Sequence, residues 1–470
     1  MLGLMLQRRK ARAMHGYFGT RRELLRLGSG AVAAGLAVGS FAPFGAGLPY
    51  VPEVARAQLV TPTPIAAWPT TARDQTGGRF LPDSLGPIQQ RWRIVLRGGV
   101  PGTPAIAGDR VYAASFGGDI AAVERSTGIT LWHHHVEPTA YRDRQLAFFA
   151  GPAVADDRLV VAGGIIACLD TTSGSTLWSH PAMVGDDLGY FWGAPIIVDG
   201  VVIAGSGSGT EQPPTPGRLR AYDLASGAER WRTNLVPDGG NGGGVLAPPT
   251  VDVASGLVYV TTGAPYQAVA GDNPGTSSLI ALDLHSGSVV WQDQIARRQN
   301  FNSAAVLLDQ RVFAANKTGF YAWDRVSRQQ LWSTPVTQVP ADDDTRFGPT
   351  IGPEGGPIAT DGERLYVLSN DATTTEFVAA ALSPYDGSVI WQQRFPGFSF
   401  AAPCVASDAV AISSADGTLR LLEPATGATQ SEFSLGEGCA CAPAMVSGAL
   451  VVGTGSEPFL HGQALIGFTA

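Results

Sequence analysis

The chain has 470 residues; 44% are hydrophobic and 15% charged, with 59 glycines and ten tryptophans. That balance is too apolar and too aromatic for a disordered chain, and the lack of a basic run beyond the first residues disfavours a nucleic-acid binder. Lysine occurs only at Lys10 and Lys317, which reads as genome composition, and the glycines follow no every-third spacing, so they are not collagenous.

The first predicted element is an address. Arg21 and Arg22 precede a mild apolar stretch from Gly28 to Phe44, and Ala55-Arg56-Ala57 forms an A-x-A cleavage pattern before Gln58. Paired arginines, a modest apolar region and small residues at the cut predict a bacterial twin-arginine export signal over residues 1–57. The stretch is rich in Gly and Ala, so no integral membrane segment is expected once the signal is removed. Those 57 residues hold eight Lys or Arg and two Glu, which leaves the rest of the chain with a net charge of −14. Such a charge favours solubility and disfavours anionic lipid and nucleic acid. Residues 58–79 read as a linker.

From residue 80 onward the chain repeats. An acidic residue is followed by Gly four positions later and Trp eight positions later, as in Glu124-Gly128-Trp132, Asp170-Gly174-Trp178, Asp223-Gly227-Trp231 and Asp283-Gly287-Trp291. Asp324-Arg328-Trp332 lacks the glycine, Ser383-Gly387-Trp391 the acid, and Glu423-Gly427-Ser431 the tryptophan. The acid bonds the turn backbone and Gly takes a positive φ, so each copy is a tight turn between two strands. Between copies, a small residue and Pro lead into two more short strands, as in Thr103-Pro104-Ala105 to Val111-Tyr112. Four strands per repeat of this length predict a β-propeller. Trp92 has no turn before it, and Ala464–Phe468 looks like a strand lacking its Trp-bearing neighbour. The expected fold is therefore all-β: an eight-bladed propeller of four-stranded antiparallel blades over residues 80–470, closed by N- and C-terminal strands. The tryptophans are expected to pack between blades.

In such blades the short acid-to-Gly turns share one face. The insertions fall mostly on the other, at Glu137–Ala147, Ser206–Pro216, Pro237–Gly244, Ala264–Ser277 and Thr337–Gly355. A loop-decorated face on a rigid ring is where function is expected. Asp342-Asp343-Asp344 reads as a solvated acidic loop, because calcium ligands alternate along a loop instead of running consecutively.

The repeat Ala-x-Asp-x-x-(Ser/Thr)-Gly-x-x-x-Trp resembles that of quinoprotein-type propellers. That group includes bacterial pyrroloquinoline quinone (PQQ) dehydrogenases and the noncatalytic propeller of outer-membrane protein assembly. The likeness is strongest from Gly217 to Trp231, through Gly242-Gly243-Gly244, to Thr261-Thr262-Gly263. It implies a site for PQQ and Ca²⁺, in which Glu211 stands in the loop of the calcium-binding Glu. The family's Asn after Thr-Gly is Ala264 here, and its Trp platform falls near Leu246. The loop 296–302 contains no Asp to serve as base, and there is no adjacent cysteine pair. Asp272 and Asn273 could substitute as oxygen ligands beside Glu211, and no catalytic residue is assigned.

Cys404 and Cys441 lie on predicted inner strands of blades seven and eight. In an exported protein a bridge from Cys404 to Cys441, or to Cys439, is the expectation. Cys168 occupies an Ala position of sister repeats and reads as core. His133-His134-His135 and His180 read as polar strand residues instead of metal ligands.

The sequence thus predicts a periplasmic or extracellular monomer whose loop-rich face binds a protein or small-molecule ligand without catalysis. The alternative is a PQQ- and calcium-dependent alcohol dehydrogenase with altered ligands.

Overall fold

The computed structural model describes residues 67–470, apart from 142–143, 185–188, 208–214, 238–239, 241, 266–272, 296–302, 338–357, 372 and 456–459. The export-signal region lies outside the described residues. No helix occurs among those described. Blade one runs outward from Ala105–Ala107 through Arg110–Ala114 and Asp119–Glu124 to Thr130–His135. The same antiparallel order repeats in blades two to seven. Their inner strands are Ala153–Ala155, Ile196–Val198, Thr250–Asp252, Val306–Leu308, Ile358–Thr360 and Cys404–Ala406. The third strands are mostly apolar and buried on both faces, whereas the outer strands bury little besides the tryptophan.

Blade eight closes the ring. Ala444–Val446, Ala449–Gly453 and Ala464–Thr469 come from one end of the chain, and the outer strand Gln89–Val95 from the other. Trp92 pairs with Gly467, as the strand count predicts. In all eight blades the outer ladder slips by one residue beside this position, a β-bulge that increases local twist. The residue across from each indole is small: Ala122, Cys168, Ala221, Ala281, Ala322, Ala381 and Gly467. Where the indole is replaced by Ser431, the partner enlarges to Leu421.

The indoles lock neighbouring blades. The Nε1 groups of Trp92, Trp132, Trp178, Trp231, Trp332 and Trp391 donate to the carbonyls of Arg125, Thr171, Leu224, Leu284, Pro384 and Pro424. Each acceptor is the residue after the acid position in the next blade's turn. The glycine of that turn lies under the same indole. A Cβ on Gly128, Gly174, Gly227, Gly287, Gly387 or Gly427 would meet the ring at 2.5 to 2.6 Å, and each has φ near +70°. Only glycine satisfies both conditions.

The segment 67–79, expected as linker, is instead a strap in the ring's centre on the turn face. Ala67–Trp68 pairs with the inner strand of blade one, and Phe80–Leu81 runs parallel to that of blade seven. Between them, strap carbonyls accept N–H groups from other inner strands. These bonds satisfy inner-edge donors that the four-stranded blades leave open.

Candidate functional site

The loop-rich face is built from the second-to-third strand turns and the blade-to-blade connections. Over blades one to three it carries an aromatic cluster of Phe116, Phe149, Tyr190 and Trp192. Tyr190 and Trp192 have ring centroids 4.6 Å apart, and Phe149 meets Trp192 edge-on at 5.6 Å. Their polar ends are satisfied, since Tyr190 Oη donates to Ala147 O at 2.6 Å and Trp192 Nε1 to Gly207 O at 3.1 Å. Leu246 packs on this cluster, half-buried.

Carboxylates on this face are fixed by their own surroundings. Asp119 accepts from Arg97 N and His135 Nδ1, each at 2.9 Å, and stands 3.1 Å from His133 Nε2. Burial pushes its carboxyl pKa up, but these partners outweigh that and hold it below the usual range. Asp371 accepts from Thr373 N at 2.9 Å, and from Thr373 Oγ1 and Arg394 Nη1 at 2.7 Å each. Burial again opposes, and the donors still bring its pKa down to about 2. Glu437 is held low in the same way, by Thr454 Oγ1, Gln463 N and Arg93. Asp416 is bonded by Ser414 and Thr418, and Asp293 by Trp323 Nε1.

An open cleft of about 710 Å³ lies between blades five and six, lined by Thr318, Val336, Thr337, Asp371, Thr373 and Arg394. Beside Thr318 is Lys317, in the tight turn of blade five and only 6% exposed. Asn316 Oδ1 builds that turn by accepting from Thr318 N and Gly319 N, while its buried Nδ2 has no acceptor. Lys317 is the residue that composition hides. Its signal is a lone lysine in a strand-to-strand turn.

Of the predicted site residues, Glu211 and Asp272 lie outside the described residues, as do Asp342, Asp343 and Asp344. Asn273 is half-buried, and its backbone carbonyl accepts from Thr276 N, Thr276 Oγ1 and Gln294 Nε2. Cys404, Cys439 and Cys441 share one core cluster, but all four cysteines are free thiols. The expected Cys404–Cys441 bridge is therefore absent from the structure. The thiols are aimed elsewhere, Cys404 Sγ at Pro443 O (2.9 Å) and Cys441 Sγ at Gly102 O (3.2 Å). His180 stacks on Tyr222 and bonds Gly227 O, so it is not a partner for the His133–His135 group. Among the described residues no cluster of three His, Cys, Asp or Glu is arranged to hold a metal ion.

A planar tricarboxylate quinone needs cationic donors, flat surfaces on both sides and, for alcohol oxidation, a free base. Lys317 is a buried cation in the turn beside the cleft, and Arg394 lines the cleft itself. Leu246 offers no flat surface at the expected platform, and the carboxylates above are committed to other donors. The described residues therefore do not complete a clamp for PQQ.

Comparison with known proteins gives the family. The family described as outer membrane protein assembly factor BamB matches residues 89–210, 117–350 and 329–466. The chain is similar to polyvinylalcohol dehydrogenase of Sphingopyxis sp. (strain 113P3), at 28% identity over 276 residues, 51% of this chain and 42% of that protein. It is also similar to polyvinylalcohol dehydrogenase of a Pseudomonas sp., at 24% over 257 residues, 49% of this chain and 40% of that protein. The matches thus span about two fifths of these relatives. Among solved structures, quinohemoprotein alcohol dehydrogenase from Comamonas testosteroni shares the fold with a TM-score of 0.73 at 19% identity, over 86% of this chain and 80% of that one. With family matches from residue 89 to 466 on an eight-bladed ring, the chain belongs to the BamB-like family of quinoprotein-type propeller repeats.

Proposed function

We propose that the protein is an exported binding module that takes a protein partner or small ligand on its loop-rich face and carries out no alcohol oxidation. One observation carries this reading. Asp119, Asp371 and Glu437 are each bound by at least two donors and held below the usual carboxylate range. A carboxylate held low is a poor proton acceptor at neutral pH. The loop 296–302, where the resemblance expects a base, contains no acid. Export to the periplasm or beyond is the reading of the paired arginines at Arg21 and Arg22.

A second reading is favoured by Lys317. A buried cation beside an amide donor suits an anionic or quinone oxygen, and polyvinylalcohol dehydrogenases are among the relatives. On this reading the chain is a PQQ- and calcium-dependent dehydrogenase, with Glu211, Asp272 and Asn273 as oxygen ligands. When bound, PQQ would accept the electrons of the substrate. Titration with PQQ and Ca²⁺, followed by thermal melting, absorbance and alcohol-to-dye electron transfer, separates the two. Saturable dye reduction that is lost in Glu211→Ala and Lys317→Gln would overturn the binding-module reading. No dye reduction, with Glu211→Ala indistinguishable from wild type, supports it.

A further inference from the structure

We propose that residues 67–95 form a single clasp, which seals the turn-face mouth of the central channel and is released only when the ring opens. The carbonyls of Pro69, Gln75, Thr76, Gly78 and Arg79 accept the N–H groups of Val154, Val251, Leu307, Thr360 and Val405 at 2.7 to 2.9 Å. Those five donors belong to blades two, four, five, six and seven. Blade one is held by the Trp68–Ile106 pairing, and blade eight by Gly448 N donating to Leu85 O. Six of the eight inner edges, and the first turn of blade eight, are thus tied to one segment.

The strap also closes on itself. Arg79, fixed to blade seven, donates its backbone N–H to Ala72 O at 3.1 Å and its guanidinium to Thr71 O at 2.9 Å. Thr71 and Ala72 follow Pro69, which is fixed to blade two. Blades two and seven are not neighbours, so these bonds span the mouth. Trp68, Thr71 and Arg79 are all at most 1% exposed. A guanidinium cannot shed its charge, so Arg79 stays seated only while its acceptors stay in place.

Strap and closing strand are coupled by their short connection. Asp408 of blade seven accepts from Leu85 N at 2.7 Å and Gly86 N at 2.9 Å, and the outer strand of blade eight begins at Gln89. Three residues give about 10 Å of slack at most. The outer strand cannot leave blade eight by more than that without pulling on the strap. The channel is therefore a blind cup, and a ligand admitted on the loop-rich face leaves by the same mouth.

Native-state hydrogen exchange of the full mature chain tests the coupling. Val154, Val251, Leu307, Thr360 and Val405 amides are expected to exchange with one common rate, shared with the ladder amides of Gln89–Val95. Gly77→Val, whose Cβ would run into Ala305 O at a φ of +81°, should speed exchange at those five at least about ten-fold and expose the Arg79–Phe80 bond to trypsin. Trp92→Ala, at the far end of the clasp, should expose the same bond. Independent rates for the five amides, or rapid wild-type cleavage after Arg79, would overturn the proposal. So would a folded Trp92→Ala with Arg79 still protected. The exchange measurement needs no variant, so a variant that fails to fold leaves the test intact.

Discussion

A Cβ placed on Gly128 of blade one would lie 2.6 Å from the indole of Trp92 on blade eight, so the glycine and the tryptophan form one joint across the seam that closes the ring. The same pairing recurs at five other seams. Gly227→Ala tests it away from the closure. A left-handed backbone and an overpacked indole together should destabilise the fold by about 2–4 kcal/mol, read as a lowered urea midpoint. An unchanged midpoint would show that the indole is free to move aside.

Blade five carries the exception. Its left-handed position is Arg328, at φ +62°, and Trp291 of blade four has a buried Nε1 with no acceptor. The equivalent acceptor would be Arg325 O. Arg328→Gly relieves the strained φ and lets the indole settle, against the greater unfolded-state freedom of glycine. A net gain of about 1–2 kcal/mol is expected from thermal or denaturant melting, because an orphaned buried donor regains a partner. A loss of stability would contradict this account of the seam.

The pH dependence of the loop-rich face follows from Asp371. Its folded pKa, about 2, lies below its ordinary value of 3.8, so the unfolded chain takes up the proton first as pH falls. The stabilisation is fully present above about pH 4 and is lost as pH falls through about 2. Asp371→Asn should therefore destabilise by about 1–3 kcal/mol at pH 7, and the two proteins should converge near pH 2. Parallel stability curves over that range would assign the effect to packing instead.

Cysteine chemistry gives a count. Burial pushes the thiols of Cys168 and Cys439 up to about 11, so neither is a ready nucleophile. Four thiols should react with a maleimide after unfolding and none before. Two after unfolding would restore the bridge from Cys404 to Cys441 or Cys439 that the sequence suggests.

The ring was legible in the sequence because its joints are made by side chains. A glycine at fixed distance from an acid records a positive φ, and the tryptophan four further on records the indole that covers the glycine of the next blade. Even the missing tryptophan at Ser431 has a reason. Blade eight takes its third strand from Ala464–Thr469 and its outer strand from Gln89–Val95, so no acid-to-Gly turn exists there to receive an indole. Phe433 packs on Phe468 in its place, with centroids 5.2 Å apart. The strap was not legible, because backbone carbonyls make its bonds and leave no residue pattern. Lys317 was hidden for another reason: a single buried charge has no period, and only burial sets it apart from a compositional accident.

The closure of blade eight has a kinetic consequence. Arg91 donates to the carbonyl of Ala470, a contact between residues 379 apart in sequence. Gln89–Val95 leaves the ribosome early and must wait, with its backbone edge unpaired and Trp92 uncovered, until Ala464–Thr469 has been made. Non-local pairings of this kind slow folding and lengthen exposure to aggregation. The ring can therefore be completed only after almost the whole chain has been synthesised, and a ribosome-stalled chain lacking its final strand should be the species that chaperones hold.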